Sequence, residues 1–271
     1  MVLSCALCVG ALAVALQARR EAGRAKAAMG RSLAERAQIA SMISHEVRGP
    51  VATIRGLTST TTITYDRLTD AERLEFLGLI DQESLRLLSV VDQTSIALKL
   101  DAGAISFHLS EVSVKDLMDA VVAKIDLGAH PLKLEIPQEL AVKCDARWTE
   151  MVLMQLLDNA AKFSPPAEPI EVSARGDSRE VVIDVRDHGP GIPEDQRDAS
   201  FRKFAGWRPP GYEQQPGSGL GLYICRALLA EQQGGVVIEE ADGGGSILRV
   251  RFSMREGSIG GGIAARQPLD L

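Results

Sequence analysis

The rhythm of apolar positions changes several times along the chain, and each change marks a different element. Val2 to Ala18 is an uncharged run, mostly Ala, Leu, Val and Cys, just long enough at helical rise to cross a bilayer core. From Ala18 to about Ile39 the composition turns to Ala, Arg, Glu and Lys, which predicts a continuous helix leading out of that segment. Ala40, Ile43, Val47, Pro50, Ile54 and Leu57 then recur at steps of three and four, the pattern of a helix packed into a bundle, with Pro50 expected to kink it. A second amphipathic segment starts after Thr69-Asp70, a cap signal, and carries Leu74, Leu77, Ile80, Leu87, Leu88, Val91 and Leu98 to a stop near Gly103. Two helices with an apolar face each predict a helical hairpin. One hairpin cannot bury both faces, so two copies pairing into a four-helix bundle, a homodimer, is the expected solution.

After Gly103 the texture becomes mixed. Lys133 to Ile136, Val181 to Val185 and Ile247 to Phe252 read as strands, and Val114 to Lys124 and Arg147 to Lys162 as helices. The fold class expected is α+β: an N-terminal transmembrane helix over 1–18, a helical linker over 19–38, the dimeric four-helix-bundle hairpin over 39–103 and an α/β sandwich over 104–254. The Gly-rich stretch 255–271 has little to bury and is expected to be a disordered tail.

Charge and cysteine content narrow the possibilities. A net charge of −6 and a pI near 5.4 over 271 residues leave no basic field over the molecule, which argues against nucleic acid as the main partner. Cys144 and Cys225 are isolated, and Cys5 and Cys8 lie inside the apolar run, so neither a disulfide framework nor a zinc knuckle is indicated and a reducing compartment is expected. Arg19, Arg20, Arg24 and Lys26 follow the apolar run at once. By the positive-inside tendency they put the rest of the chain in the cytoplasm, with a single-pass anchor in the inner (plasma) membrane. A cleaved signal peptide is the rival, because Ala13-Val14-Ala15 resembles a cleavage site, but no basic residue precedes the run as such a peptide requires.

Several short motifs bear chemistry. His45, in Ser44-His45-Glu46-Val47-Arg48-Gly49-Pro50, lies two residues from both Ile43 and Val47, which points its imidazole away from the packed face. A neutral imidazole is a competent nucleophile near pH 7, and a neighbouring carboxylate such as Glu46 can orient the ring or take its proton. On these residues alone an ordinary exposed helical His is the simpler reading. Asp158-Asn159-Ala160-Ala161-Lys162-Phe163 closes the helix from Arg147. Asn159 and Lys162 lie about one turn apart there, an amide oxygen suited to Mg²⁺ and an ammonium suited to phosphate. Asp187-His188-Gly189-Pro190-Gly191 follows a strand, with an acceptor for an amino group and glycines that let backbone approach a flat ligand. Gly217-Ser218-Gly219-Leu220-Gly221-Leu222 opens a helix, whose N–H groups and dipole suit phosphates. Each motif is weak by itself. No G-x-x-x-x-G-K-[ST] loop occurs, and no strand precedes Gly217 as a dinucleotide fold requires.

In order and at these separations, the motifs resemble the H, N, G1, F and G2 boxes of the bacterial two-component sensor histidine kinases, over roughly Ala34 to Met254. The resemblance implies a dimerisation and histidine phosphotransfer hairpin followed by a GHKL-type ATP-binding domain. It makes His45 the phospho-acceptor, Glu46 its acid/base neighbour, Asn159 the Mg²⁺ ligand and Lys162 a phosphate contact. Phe163 would flank adenine, Asp187 would bind its amino group, Gly189 and Gly191 would shape that pocket, and Gly217, Gly219, Leu220 and Gly221 would close on the phosphates. ATP and Mg²⁺ are the implied cofactors, and a response-regulator receiver domain the implied partner. Phe201 and Phe204 resemble the F box inside a lid from about Ile192 to Gly217, whose Pro and Gly content predicts no regular element. Two positions depart from the pattern. Gln155 stands where the family often has Asn, and Gly49 stands where it commonly has Thr or Asn to position a water for dephosphorylating the partner. Gyrase and heat-shock ATPases share the nucleotide fold, but they use a carboxylate where Gln155 stands and lack the His-bearing hairpin.

Overall fold

The computed structural model describes residues 41, 43, 44, 46–205, 207–212, 215 and 217–253. The expected membrane segment, the linker, His45 and the C-terminal tail lie outside the described residues. No described helix is long and apolar enough to cross a membrane. The chain forms two compact units, one up to Val91 and one from Asp92 on.

The first unit is the expected hairpin. Helix α1 covers residues 46–64, with Val47, Pro50, Ile54 and Leu57 turned inward and Ile43, just before it, half-buried as well, as their spacing predicts. Pro50 is buried and the helix continues through it. The Thr-rich end stays helical with Thr61, Thr62 and Thr64 hydroxyls donating to the carbonyls of Leu57, Thr58 and Thr60, a local use of hydroxyls that β-branched residues allow. A 3₁₀ turn over Tyr65–Arg67 leads to α2, Asp70–Asp101. Thr69 and Glu72 form a capping box: the Glu72 carboxylate accepts from the Thr69 backbone N–H and hydroxyl at 2.8 Å each, and the Thr69 Oγ accepts from Glu72 N–H. The expected apolar row of α2 splits in two. Phe76, Ile80, Leu87 and Val90 turn inward, while Leu74, Leu77, Leu88 and Val91 remain exposed. Within one chain that second row is uncovered.

The last ten residues of α2 belong to the second unit. Gly103, with φ +61, ends the helix, allowing the Ala104 N–H to reach the Lys99 carbonyl at 2.8 Å. Then follow β1 (Ser110–Ser113), α3 (Val114–Val122), β2 (Leu132–Glu135), β3 (Ala141–Cys144), α4 (Ala146–Phe163), β4 (Ile170–Gly176), β5 (Glu180–Arg186), α5 (Glu194–Arg197), a 3₁₀ turn at Ala199–Phe201, α6 (Gly221–Glu231), β6 (Gly234–Glu240) and β7 (Ser246–Ser253). A five-stranded sheet runs β2-β4-β5-β7-β6, parallel at β2–β4 and antiparallel elsewhere, and β1 pairs with β3 alone. Ile170, Val172, Ile183, Val185, Val250 and Phe252 line one sheet face and form one core with Leu153, Leu156 and Leu157 of α4 and Leu228 and Leu229 of α6. Layered packing of helices on one sheet face follows directly from the period-two and period-3.6 burial.

The other sheet face is partly charged. Asp184 of β5 accepts from Arg249 Nε at 2.7 Å and from Arg175 Nη1 at 2.7 Å, and Arg249 also reaches Glu239. Burial works to push the Asp184 carboxyl up, but the two guanidiniums prevail and hold it below the usual aspartate range. The folded value is depressed, so this group contributes stability above its unfolded value of 3.8, lost as pH falls through the folded value. Arg249→Met should therefore destabilise the unit by about 2 kcal/mol at neutral pH, Arg175 remaining as a partial partner. In denaturant titrations the gap to wild type should close in acid, and a gap independent of pH would refute this role.

Candidate nucleotide site

A cleft of about 950 Å³, counting the part open to solvent, lies among α4, the loop after β5, the 202–217 segment and the start of α6. It gathers Asn159, Lys162, Phe163, Asp187, Gly191, Gly217, Gly219 and Gly221 from three separate stretches of sequence. Gly189 and Leu220 do not line it, and Glu46 belongs to the hairpin.

Asp187 sits at one end, just past β5. The N–H groups of Gly189 and Ser246 converge on its Oδ1 at 2.9 and 3.1 Å, and its own N–H donates to the Ser246 carbonyl. Burial pushes the Asp187 carboxyl above the usual range despite those donors. Backbone crowding explains the glycines. A Cβ at Gly189 would come within 2.5 Å of the Phe163 carbonyl, and one at Gly245 within 2.0 Å of the Asp187 carbonyl. Gly189 thus shapes the cleft indirectly, by letting the loop lie against the end of α4.

Helix α4, started by the Asp145 side chain accepting from the Trp148 N–H, presents Gln155, Asn159 and Lys162 along its cleft side. Lys162 Nζ is paired with Asp158 at 2.5 Å. Phe163 ends the helix with its ring 5.8 Å from that of Tyr212. No group of three or more His, Cys, Asp or Glu placed to hold a metal ion occurs among the described residues. The donor set is the amide oxygens of Asn159 and Gln155, and neutral oxygen donors fit a Mg²⁺ that arrives with phosphates rather than one held in a protein cage.

The turn into α6 is closely packed. Gly219, at φ +67, passes so near the 204–205 backbone that a Cβ would sit 2.8 Å from the Ala205 carbonyl, and a Cβ at Gly221 would meet the Gln155 side chain at 2.7 Å. Leu220 is buried in the core, and its N–H donates to Ser218 Oγ at 3.1 Å. The expected lid is corrected in its first third: Glu194–Arg197 is a helical turn and Ala199–Phe201 a 3₁₀ turn. Phe201 is buried under the Arg226 guanidinium, itself paired with Asp198. Pro193 precedes α5 in extended geometry and two acidic residues open it, a favourable start that composition alone conceals. The described residues between Arg202 and Gly217 lie outside any helix or strand. Gln93, Ser218, Trp207, Arg208 and Pro209 also line the cleft. Arg208 donates to the carbonyls of Gly217 and Trp207.

In the hairpin, Ser44 and Glu46 on either side of His45 are helical. Glu46 Oε2 lies 3.7 Å from Arg86 of α2, which is equally near Glu83.

Comparison with known proteins meets the same two parts. Residues 35–103 match the family described as His Kinase A (phospho-acceptor) domain, and residues 144–256 the family described as histidine kinase-, DNA gyrase B-, and HSP90-like ATPase. The chain is 26% identical over 217 residues to the sensor protein KdpD of Clostridium acetobutylicum, covering 79% of this chain and 24% of KdpD. The histidine kinase AdeS of Acinetobacter baumannii shares the fold at TM-score 0.59 and 21% identity, over 78% of this chain and 98% of that one. Full-length ShkA in complex with AMPPNP matches at TM-score 0.54 and 25% identity, over 79% of this chain and 45% of ShkA. The chain thus spans less than half the length of KdpD and of ShkA.

Proposed function

The chain belongs to the two-component sensor histidine kinases, and from that premise we propose that it phosphorylates its own His45 from ATP and passes the group to an aspartate of a response-regulator receiver domain. The observation that carries this reading is the one cleft lined by a buried acceptor, Asp187, a glycine turn at a helix start, and Asn159 and Lys162 of α4. In this reading Asp187 accepts from the adenine amino group and Phe163, with Tyr212 beside it, flanks the ring. The turn Gly217 to Gly221 takes the phosphates, and Asn159 holds Mg²⁺, which when bound neutralises charge on the phosphate oxygens. Lys162 exchanges Asp158 for a phosphate oxygen. A neutral ring nitrogen of His45 attacks the γ-phosphorus, the nitrogen–phosphorus bond forms as the bond to the ADP oxygen breaks, and the imidazole proton passes to Glu46. The receiver aspartate then takes the phosphoryl group, the nitrogen–phosphorus bond breaking as the acyl phosphate forms, and Glu46 returns the proton that makes His45 neutral again.

Three further parts of the proposal rest on chain segments or surfaces. The uncovered row Leu74, Leu77, Leu88 and Val91 is the face on which a second copy would complete a four-helix bundle. The run Val2 to Ala18 with Arg19 and Arg20 after it supports a single-pass inner-membrane anchor with the catalytic part cytoplasmic. The domain limits 1–18, 19–38, 39–103, 104–254 and 255–271 follow from the same composition changes. Phosphotransfer is tested by adding a purified receiver domain to the labelled chain: label should leave the chain and appear on the receiver as an acyl phosphate. Label that stays on the chain with every receiver of the source genome would reject the partner reading.

Gly49 sets the direction of traffic. It is helical and exposed despite Pro50, its carbonyl accepts from Thr53 Oγ1 at 3.2 Å, and a Cβ there would meet nothing within 4 Å. A side chain is therefore sterically allowed and simply missing, so position 49 offers no group to align a water on the phospho-partner. The wild-type chain with ADP should leave the half-life of the phospho-receiver unchanged, and Gly49→Thr should shorten it. A wild-type chain that markedly shortens that half-life would overturn this proposal.

A further inference from the structure

Gln93 lies on α2, eight residues before its end, yet its side chain lines the nucleotide cleft. Its Oε1 accepts from the Ser218 hydroxyl at 2.5 Å, and its Nε2 donates to Gln155 Oε1 at 3.2 Å. The direction of the chain of bonds is set by its first link. Ser218 Oγ accepts from the Leu220 N–H, so its proton is directed onward to an acceptor, which makes the Gln93 atom facing it the oxygen and the one facing Gln155 the nitrogen. Two groups of the phosphate end are thus engaged by one amide. The Ser218 hydroxyl, a donor at the mouth of the glycine turn, is given to a carbonyl oxygen. Gln155 Oε1, an acceptor of the kind that suits a hard cation, is given to an N–H.

We propose that Gln93 is an internal surrogate for the magnesium–phosphate group: its amide oxygen stands where a phosphate oxygen is received and its amide nitrogen where the cation is received. Nucleotide with magnesium must displace it, so the last turns of α2 and the magnesium nucleotide compete for the same partners. The proposal rests on the reading of the cleft as a magnesium-nucleotide site. Gly221 completes the arrangement, because only without a Cβ does α6 start within reach of the Gln155 side chain. Two further polar ties of the α2 end, from Asp101 to the Tyr223 hydroxyl at 2.7 Å and to Lys203 at 2.5 Å, do not involve the cleft groups. They supply a control.

The test is AMPPNP affinity of the full chain by calorimetry, with and without Mg²⁺. Gln93→Met keeps length and helix propensity but makes neither bond. It should bind Mg–AMPPNP about three- to tenfold more tightly than wild type, two neutral hydrogen bonds no longer having to be exchanged. The gain should be smaller without Mg²⁺, where only the Ser218 bond is in competition. Tyr223→Phe, which loosens α2 away from the cleft, should leave both affinities unchanged. Hydrogen exchange over residues 92–101 should rise when Mg–AMPPNP binds the wild type. Wild-type chain that binds no AMPPNP would remove the site reading itself. Normal wild-type binding with equal or weaker binding by a Gln93→Met protein of unaltered melting temperature would overturn the surrogate. If Gln93→Met fails to fold, Ser218→Ala is read instead through the α2 exchange: it should raise exchange over 92–101 in nucleotide-free protein, and no rise would equally overturn the proposal.

Discussion

Asp187→Ala should weaken AMPPNP binding by about a hundredfold whether or not Mg²⁺ is present, because it deletes a charged acceptor in a buried position. Asn159→Ala should leave metal-free binding near wild type and abolish the part that Mg²⁺ adds. The two losses differ because one side chain is a hydrogen-bond acceptor fixed by the N–H groups of Gly189 and Ser246, and the other is a neutral oxygen donor on the cleft side of α4. Equal losses in both conditions would contradict the assignment. Asp187 also links binding to stability. Burial raises its folded value above 3.8, so the folded chain holds a proton where the unfolded chain has released it. The stability tied to that proton is present in acid and is lost as pH rises through the folded value. Asp187→Asn should therefore melt above wild type at neutral pH while binding AMPPNP about tenfold or more weakly, and the difference in melting should shrink as pH is lowered toward 3.8. A neutral-pH melting temperature below wild type would show that the carboxylate is held for stability, not for ligand.

Much of this site is legible along the chain because it is built from short segments whose glycines answer to local backbone needs. The Asp187 to Gly191 turn and the Gly217 to Gly221 turn announce close approach, and the structure shows what is approached: the Phe163 carbonyl, the 204–205 backbone and the Gln155 side chain. The inward face of α1 is legible for a similar reason, since a single 3.6 period from Ile43 to Leu57 has no competing pattern. In α2 the same kind of reading blurs two rows into one. Leu87 and Leu88 are adjacent in sequence but belong to different faces, and spacing does not say which face the chain itself covers.

What escapes the sequence depends on tertiary placement. Strands β1 and β3 are four residues each and pair only with one another, and β2 joins the sheet in parallel with β4, a register that only the intervening β3 and α4 bring about. Gln93 is separated from Gln155 by 62 positions and from Ser218 by 125, and in its own helix it is an unremarked polar residue. Arg208 and Tyr212 sit in a segment whose Pro and Gly content signals only irregularity, yet one binds the Gly217 carbonyl and the other packs on Phe163. Nothing in the segment's composition marks either contact.

The claim on which everything else depends is that the cleft serves His45. The full chain, incubated with Mg²⁺ and ATP radiolabelled in the γ-phosphate, should take up label that is lost in acid and kept in alkali, the behaviour of a phosphoramidate. His45→Gln should take up none while binding Mg–AMPPNP with wild-type affinity, because nothing in the cleft is altered. Label that persists undiminished in His45→Gln, or that survives acid as a hydroxyl phosphate ester would, contradicts the account.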